Sequence, residues 1–592
     1  TADFRFGARP WELTEIPSIC PHDAAGSNIS LSMRLDREAG GRAIIKRVMP
    51  RQNEYVNEIW ISDKTRFGHH FTRSADRLEN ARVGKTNTPW NDTLKSVVAG
   101  LQAADGNIGV IAGSGLSTED LWELSQLAKG LGVERLGAWP PTHAGADLVA
   151  QVGVGKDTNL SDLRKGDAVL IIASDLEEEV PIWRHRIKQA HDRGVYVVVA
   201  NARHTRMDDF ASASLRYESG AAAQAMNDLA ALDADVAAKL RDAANLIIVT
   251  GAEGLTLEGS RALMQAAANF LIETGHIGKA NNGLLSTFPG PNGMGQYYMG
   301  FTPEATQEIM QNPPQVLIVA QANPLADDAT AAEWLDKVPT IITLSLFDDE
   351  LVAKASAALP IQSFAERDGT YVNGERRVQR FYTAQGPVGE ALPAWQAIAR
   401  LRELLGQGRA KLSAAAVMKE INGAIPVFAG ASYSELAKVE QQFPMIGDEA
   451  VYYGGTAYKN RGGLGVQLPT AADQGEEVSA GAVSLPSLPT AEAGKLVVIP
   501  TTRLYNREQV FKSAEIVHPR VPDAFAALNS ADADNLKVQN GDMVQIAIDD
   551  GPVVTVRAKV NGAAPAGTVV LPRHLTATAT PMTITIGKVS KV

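Results

Sequence analysis

The sequence is almost without cysteine: among 592 residues only Cys20 carries a thiol. One cysteine excludes an internal disulfide framework and the small secreted folds that depend on one. A basic surplus is also missing. The 56 Lys and Arg against 67 Asp and Glu leave a formal charge of −11, which excludes the positive surface that nucleic-acid binding needs. No apolar run reaches the length of a membrane-spanning helix. The first residues, Thr1-Ala2-Asp3-Phe4, hold neither an initiating Met nor a signal-peptide pattern. Neither G-x-S-x-G nor G-x-x-x-x-G-K-[ST] occurs, so a nucleophile elbow and a Walker phosphate loop are excluded. What remains is ordinary globular composition, over a length that predicts three or four domains.

The lone cysteine stands in an informative spacing. Residues 18–28 read Ser-Ile-Cys-Pro-His-Asp-Ala-Ala-Gly-Ser-Asn, and Trp60-Ile61-Ser62-Asp63-Lys64 follows. With cysteine placed at Asp23, Ser27 and Ser62 beside Cys20, the pattern becomes C-x2-C-x3-C and a distant fourth, the set of thiolates an iron–sulfur cube requires. One thiolate does not hold a cube, and Asp and Ser are harder, weaker ligands. Cys20, Asp23, Ser27 and Ser62 therefore read as vestigial cluster positions, with hydrogen bonds in place of the metal. A buried Asp23 is expected to accept backbone N–H groups or to face water.

Residues 1–78 predict a small module with short β runs at Ile29–Leu35 and Ile44–Val48. From about residue 100 the pattern alternates β and α. Apolar runs bounded by turn signals predict buried strands at 108–112, 168–173, 195–200, 245–250, 316–320 and 340–344, as in a parallel sheet covered on both faces. Leu121, Leu124, Leu127, Ala128 and Leu131 make one helical stripe, started by the Ser117 hydroxyl and the acids Glu119 and Asp120. Residues 467–494, with Pro469, Pro486 and Pro489 among Ala, Ser, Gly and Glu, read as a linker or extended crossing segment. Beyond it, Met543–Ile548 and Val553–Val560 flank Asp549-Asp550-Gly551, a hairpin signal, and Thr568–Leu571 adds a third strand.

Other candidate sites carry less. Gly113-Ser114-Gly115 opens a helix after a strand, but position 118 is Thr where a dinucleotide fingerprint has its third glycine, and Thr250-Gly251-Ala252-Glu253-Gly254 is weaker still. Tight strand-to-helix turns serve any parallel sheet. His69-His70 diverge on a regular backbone and lack the further ligands a metal needs. His22 reads as a hydrogen-bonded or exposed side chain. Glu177-Glu178-Glu179 before Pro181 reads as helix initiation, with Arg184, Arg186 and Lys188 along the same helix.

Longer stretches carry a resemblance. Ala8-Arg9-Pro10-Trp11-Glu12-Leu13 and Asn57-Glu58-Ile59-Trp60-Ile61-Ser62-Asp63-Lys64-Thr65-Arg66-Phe67 resemble the family of large iron–sulfur subunits of NADH-quinone oxidoreductase, respiratory complex I. The closest likeness is to mitochondrial-type members, which carry Asp-Ala-x-Gly-Ser-Asn in place of cluster cysteines; Cys20 departs from that type. Asn282-Gly283-Leu284-Leu285 with Pro289-Gly290-Pro291-Asn292, then Ala322-Asn323-Pro324, extend the resemblance, and Glu366-Arg367-Asp368-Gly369-Thr370-Tyr371-Val372-Asn373 with Arg377-Val378-Gln379 also resembles the wider molybdopterin-oxidoreductase superfamily, to about residue 405. Ala533-Asp534-Asn535-Leu536 and Asn540-Gly541-Asp542 resemble the superfamily's C-terminal barrel, a bacterial-type tail.

The resemblance implies an α/β, molybdopterin-oxidoreductase-like fold with a small N-terminal β-rich module, two interleaved parallel-sheet α/β lobes and a C-terminal β-barrel. Its domains are a degenerate 4Fe-4S module at 1–78, α/β lobes at 79–420, a crossing segment and linker at 421–494, and a dinucleotide-binding-like barrel at 495–592. It also implies a scaffold with no catalytic, cofactor-binding or metal-binding residue of its own. No cofactor is expected within the chain, and the 2Fe-2S and 4Fe-4S clusters are expected upstream of Thr1, read as a cut or processed start. The partners it implies are the flavin- and NADH-binding and the quinone-proximal subunits of the hydrophilic arm, with no nucleic acid and no direct membrane span. The place is the cytoplasmic face of a bacterial inner membrane, or the matrix side in a eukaryote. Trp11 is expected to anchor an interface or fill the module's core, so that Trp11→Ala destabilises by several kcal/mol. The competing class is a catalytic subunit of a molybdenum or tungsten oxidoreductase such as a formate dehydrogenase. Its metal takes a Cys, selenocysteine, Ser or Asp ligand, of which Ser and Asp stay open here. A third class is a free-standing adaptor.

Overall fold

The computed structural model describes residues 7–37, 39–438, 463–549 and 551–592. Thr14–Ile19, Asn28–Asp36 and Arg42–Pro50 form an antiparallel three-stranded sheet, with Thr14 opposite Met33 and Ile29 opposite Pro50. Ile19, Ile29, Leu31, Met33 and Val48 bury its inner face. Trp11 stands outside that core. It is 77% exposed, which corrects the reading of a core-filling indole and the several-kcal/mol penalty expected for its truncation.

Ile108–Gly113, Ala168–Ile172, Leu246–Thr250 and Val316–Ala320 are buried at every position, as strands covered on both faces must be. They are the central strands of two sheets. One runs Ala213–Leu215, Tyr196–Ala200, Ala168–Ile172, Leu246–Thr250, Gly283–Ser286, all parallel. The other runs Thr86–Asn87, Arg82–Val83, Ala357–Pro360, Thr340–Ser345, Val316–Ala320, Ile108–Gly113, Leu136–Trp139. The first sheet's whole sequence lies between Trp139 and Val316 of the second, so the lobes are interleaved. In each sheet the strand order reverses once, between Ala168–Ile172 and Leu246–Thr250 and between Ile108–Gly113 and Val316–Ala320. Ligand crevices of open α/β sheets form at such reversals.

The start of the helix Thr118–Gly130 shows how one lobe is tied to the segments that follow it in the chain. Ser117 accepts from Asp120 N in a capping box. The acids expected to complement the helix dipole do more than that, because both are fully buried. Asp120 pairs with Arg367 and accepts from Trp395 N at 2.7 Å. Glu119 accepts from Thr370 N at 2.9 Å and Tyr433 Oη at 2.8 Å, and burial pushes its carboxyl up to about 7.

Six strands, in the order Leu496–Thr501, Thr568–Pro572, Phe525–Leu528, Val553–Val560, Met543–Ile548, Thr585–Lys591, close a C-terminal barrel. Met543–Ile548 alternates exposed and buried residues as a barrel strand should. Of the hairpin turn between it and Val553–Val560, Asp550 lies outside the described residues, as do residues 439–462 of the crossing segment. Residues 476–492 have no regular secondary structure and are pinned to a lobe by Asn269, which bonds both backbone groups of Gly481, and by Gln224 to Pro486 O.

Candidate functional site

At the N-terminal module, the spacing of residues 20–62 folds into one corner. Cys20 is 0% exposed, and its Sγ lies 3.0 Å from Thr65 Oγ1. The same hydroxyl lies 2.9 Å from Ser62 Oγ, and Ser62 caps the short helix Asp63–Phe67 by accepting from Thr65 N. Cys20 N donates to Ser27 O at 2.9 Å, while Ser27 Oγ is buried without a hydrogen-bond partner among the described residues. Asp23 is 4% exposed; its Oδ1 accepts from Ala25 N at 3.1 Å, and its Oδ2 has no hydrogen-bond partner among the described residues. Burial pushes Asp23 up to about 6 and raises the Cys20 thiol far above its ordinary range. The donor set at these positions is thus one thiol, one carboxyl and two hydroxyls, which does not fit a four-thiolate cube.

Asp23 also borders a cavity of about 1060 Å³ lined by the module, both lobes and the barrel. The cavity opens where the strand order reverses. Its walls include Glu253 after the strand Leu246–Thr250, Thr287 to Gly290 after Gly283–Ser286, and Gln321 to Asn323 after Val316–Ala320. Two non-glycine residues at the ends of the central strands, Ala173 (φ 55°) and Gln321 (φ 48°), adopt left-handed backbone, the strained geometry that gathers at ligand sites.

The site residue that sequence reasoning missed is Glu179. Read as part of a helix-initiating run, it lines this cavity and accepts from Ser174 Oγ and Thr287 Oγ1, both at 2.8 Å. Thr287 Oγ1 lies 3.3 Å from His143 Nε2, whose Nδ1 lies 2.9 Å from Thr142 Oγ1. Burial, reinforced by Glu253 and opposed by the two hydroxyls, pushes Glu179 up to about 8, while burial holds His143 down near 4. At neutral pH the wall therefore presents a protonated carboxyl and a neutral imidazole. The signal in the sequence was the pairing of an acid run with Thr287 across more than a hundred residues, which no local pattern reveals.

The cavity is large enough for an organic cofactor, but its lining does not fit a phosphate-rich dinucleotide. Asp23, Glu179, Glu253, Asp327, Asp349, Glu350 and Glu508 outnumber Lys64, Arg507, Lys512 and Arg573, and no cysteine lines it. The glycine turn at 113–115 is filled from within: a Cβ on Gly113 would meet Gln321 O at 1.9 Å, and one on Gly115 would meet Gln321 Nε2 at 2.6 Å. Gly113 is required by packing between two strand ends, because the atom it would meet is backbone. The imidazoles of His69 and His70 stack at 4.3 Å with His69 buried, and His22 packs between Phe71 and Phe511, neither exposed nor hydrogen-bonded to a side chain. Among the described residues no three His, Cys, Asp or Glu side chains form a metal-binding group.

The fold is that of the molybdopterin oxidoreductases, and comparison with known proteins agrees. The molybdopterin oxidoreductase model matches residues 86–404, and the molydopterin dinucleotide binding domain matches 496–590. The chain belongs to the molybdopterin oxidoreductase family. Residues 13–70 match the NADH-ubiquinone oxidoreductase NDSU1/NuoG-like 4Fe-4S domain. Similar proteins include a subunit of the NADH-quinone oxidoreductase of Streptomyces coelicolor, 27% identical over 65% of this chain and 52% of that one. The mitochondrial NADH dehydrogenase (ubiquinone) iron-sulfur protein 1 of Solanum tuberosum is 27% identical over 72% and 55%. The F420-dependent formate dehydrogenase subunit alpha of Methanocaldococcus jannaschii is 23% identical over 95% of each chain. Among solved structures, acetylene hydratase from Pelobacter acetylenicus has the same fold, with a TM-score of 0.67 at 14% identity over 94% of this chain and 93% of that one. The chain spans about half the length of the NADH dehydrogenase relatives it matches.

One expectation is overturned. The expectation was that this segment holds no cofactor, with the 2Fe-2S and 4Fe-4S clusters upstream of Thr1 and only a degenerate module at 1–78. The match at residues 13–70 puts a 4Fe-4S domain inside the chain. That match spans Cys20, Asp23, Ser27 and Ser62. No helix among the described residues is long and apolar enough to cross a membrane.

Proposed function

We propose that this chain is a structural part of the iron–sulfur subunit in the hydrophilic arm of an NADH:quinone oxidoreductase. In that complex electrons pass from NADH through flavin and iron–sulfur clusters to quinone, with proton translocation. The chain contributes no catalytic group and holds its neighbours in register: the flavin- and NADH-binding subunits on one side and the quinone-proximal subunits on the other. It sits peripherally at the cytoplasmic face of a bacterial inner membrane. The observation that carries this reading is the subunit-specific 4Fe-4S domain at residues 13–70, joined in one chain to the molybdopterin-oxidoreductase lobes. Cys20, Asp23, Ser27 and Ser62 are its altered cluster positions. The domains we assign are 1–78, 79–420, 421–494 and 495–592.

A second reading, the catalytic subunit of a molybdenum or tungsten oxidoreductase, is favoured by the end-to-end likeness to a formate dehydrogenase subunit. The acid-rich, cysteine-free cavity weighs against it. Affinity purification of the full chain from its source membranes separates the two. NADH-oxidising flavoprotein in constant ratio to the chain supports the first reading; stoichiometric molybdenum or tungsten without that flavoprotein supports the second.

A further inference from the structure

The three-stranded sheet of the N-terminal module ends in a tip that none of the described residues covers. Thr14 pairs with Met33, so the register brings the chain before Thr14 level with Leu35, and Arg34 meets Glu12 at 3.3 Å. Here Trp11 is 77% and Leu35 71% exposed. The Arg9 guanidinium lies 5.6 Å from the centre of the Trp11 ring. Arg9, Arg37 and Arg42 are exposed, and among the described residues no carboxylate lies within ion-pair distance of any of them. Glu12 is taken by Arg34 and Asp36 by Lys46. Among the described residues there, Arg9, Arg34, Arg37, Arg42 and Lys46 stand against Glu12 and Asp36, on a chain whose formal charge is −11.

A single exposed apolar side chain is normal on a protein surface. An exposed indole and an exposed leucine at one end of a sheet, with Arg9 over the indole and Arg37 and Arg42 exposed at the turn between the second and third strands, have on an otherwise acidic molecule the composition of an interface anchor. Resting on the assembly reading above, we infer that this tip docks another subunit of the complex. That subunit offers an apolar pocket for Trp11 and Leu35, rimmed by Asp and Glu that pair with Arg9, Arg37 and Arg42. The guanidinium groups set orientation through bidentate carboxylate bonds, and the charge contrast speeds encounter. An anionic membrane is the other surface with such charge, but the rest of this acidic chain would be repelled along its plane, whereas a protein pocket engages only the tip.

The test uses the full chain in its source organism. A Trp11→Ala/Leu35→Ser double variant should melt as wild type does, because neither side chain is buried. It should be retained on the salt-washed NADH-oxidising complex ~10-fold less, as loss of interface anchors predicts. A photoreactive residue at Leu35 should cross-link to a second subunit, on a peptide rich in Asp and Glu. Cross-links to this same polypeptide, to a second copy or to lipid would overturn the inference, as would normal retention of the double variant. If wild type itself does not co-purify with the NADH-oxidising subunits, the assembly reading fails and this inference with it. If wild type and variant are retained alike, only the inference fails.

Discussion

Arg77 and Glu366 form a bidentate ion pair at 2.8 and 3.2 Å with both side chains 0% exposed. The pair joins the end of the N-terminal module to the turn before the strand Gly369–Val372 in the lobes. Arg77 also donates to the carbonyl oxygens of Thr72, Leu346 and Ile361. All its hydrogen-bonding capacity is spent on holding three segments together. Truncating one partner leaves a buried charge uncompensated, so Glu366→Ala should destabilise the lobes by ~3–5 kcal/mol. Arg77→Met/Glu366→Leu together should lose much less than the sum of the two single changes. Denaturant unfolding followed by tryptophan fluorescence reads both, and additive losses would contradict a coupled pair.

Ser62 makes a smaller, local contribution. As the cap of Asp63–Phe67 it satisfies Thr65 N, and Ser62→Ala should weaken that helix by about 1 kcal/mol. Ser62→Asn, also a capping residue, should recover most of the loss. Hydrogen exchange at Thr65 and Arg66 measures the effect. Equal protection in wild type and Ser62→Ala would show that the cap does not hold this turn.

Glu179 makes stability depend on pH in a defined direction. Its folded pKa, near 8, lies above its ordinary value of 4.5, so the folded protein keeps a proton that the unfolded chain loses between those values. Its contribution is therefore full below the unfolded value and is lost as pH rises toward about 8. Glu179→Gln cannot ionise, so its melting temperature relative to wild type should rise across that window and level off above it. Asp175 and Glu253 act on the same group, Arg203 pairs with both of them, and all three remain in both proteins. Parallel melting curves over the window would contradict the assignment.

Much of the fold was legible because its signals are local. The six buried strands of the lobes are apolar runs, and Val316–Ala320 falls where the run does. Leu136–Trp139, Ala213–Leu215 and Gly283–Ser286 were not, since three or four residues show no period and their pairing is set by distant neighbours. The barrel's Leu496–Thr501 and Thr585–Lys591 escaped for the related reason that closure, not local pattern, defines them. At the site, the spacing of Cys20, Asp23, Ser27 and Ser62 marked these four as candidate cluster positions, and the 4Fe-4S domain match covers all of them. It could not show that Thr65 would bridge Cys20 and Ser62, nor that Glu179 and Thr287 would meet across the cavity. Those contacts depend on which strand ends lie side by side.

The central claim is membership of an NADH:quinone oxidoreductase, and deletion of the gene tests it most directly. Membranes of the deletion strain should lose quinone reduction driven by NADH, and the full-length gene should restore it. Membranes that keep NADH:quinone activity, while the cells lose a molybdenum- or tungsten-dependent oxidation, would contradict the account and establish the second reading.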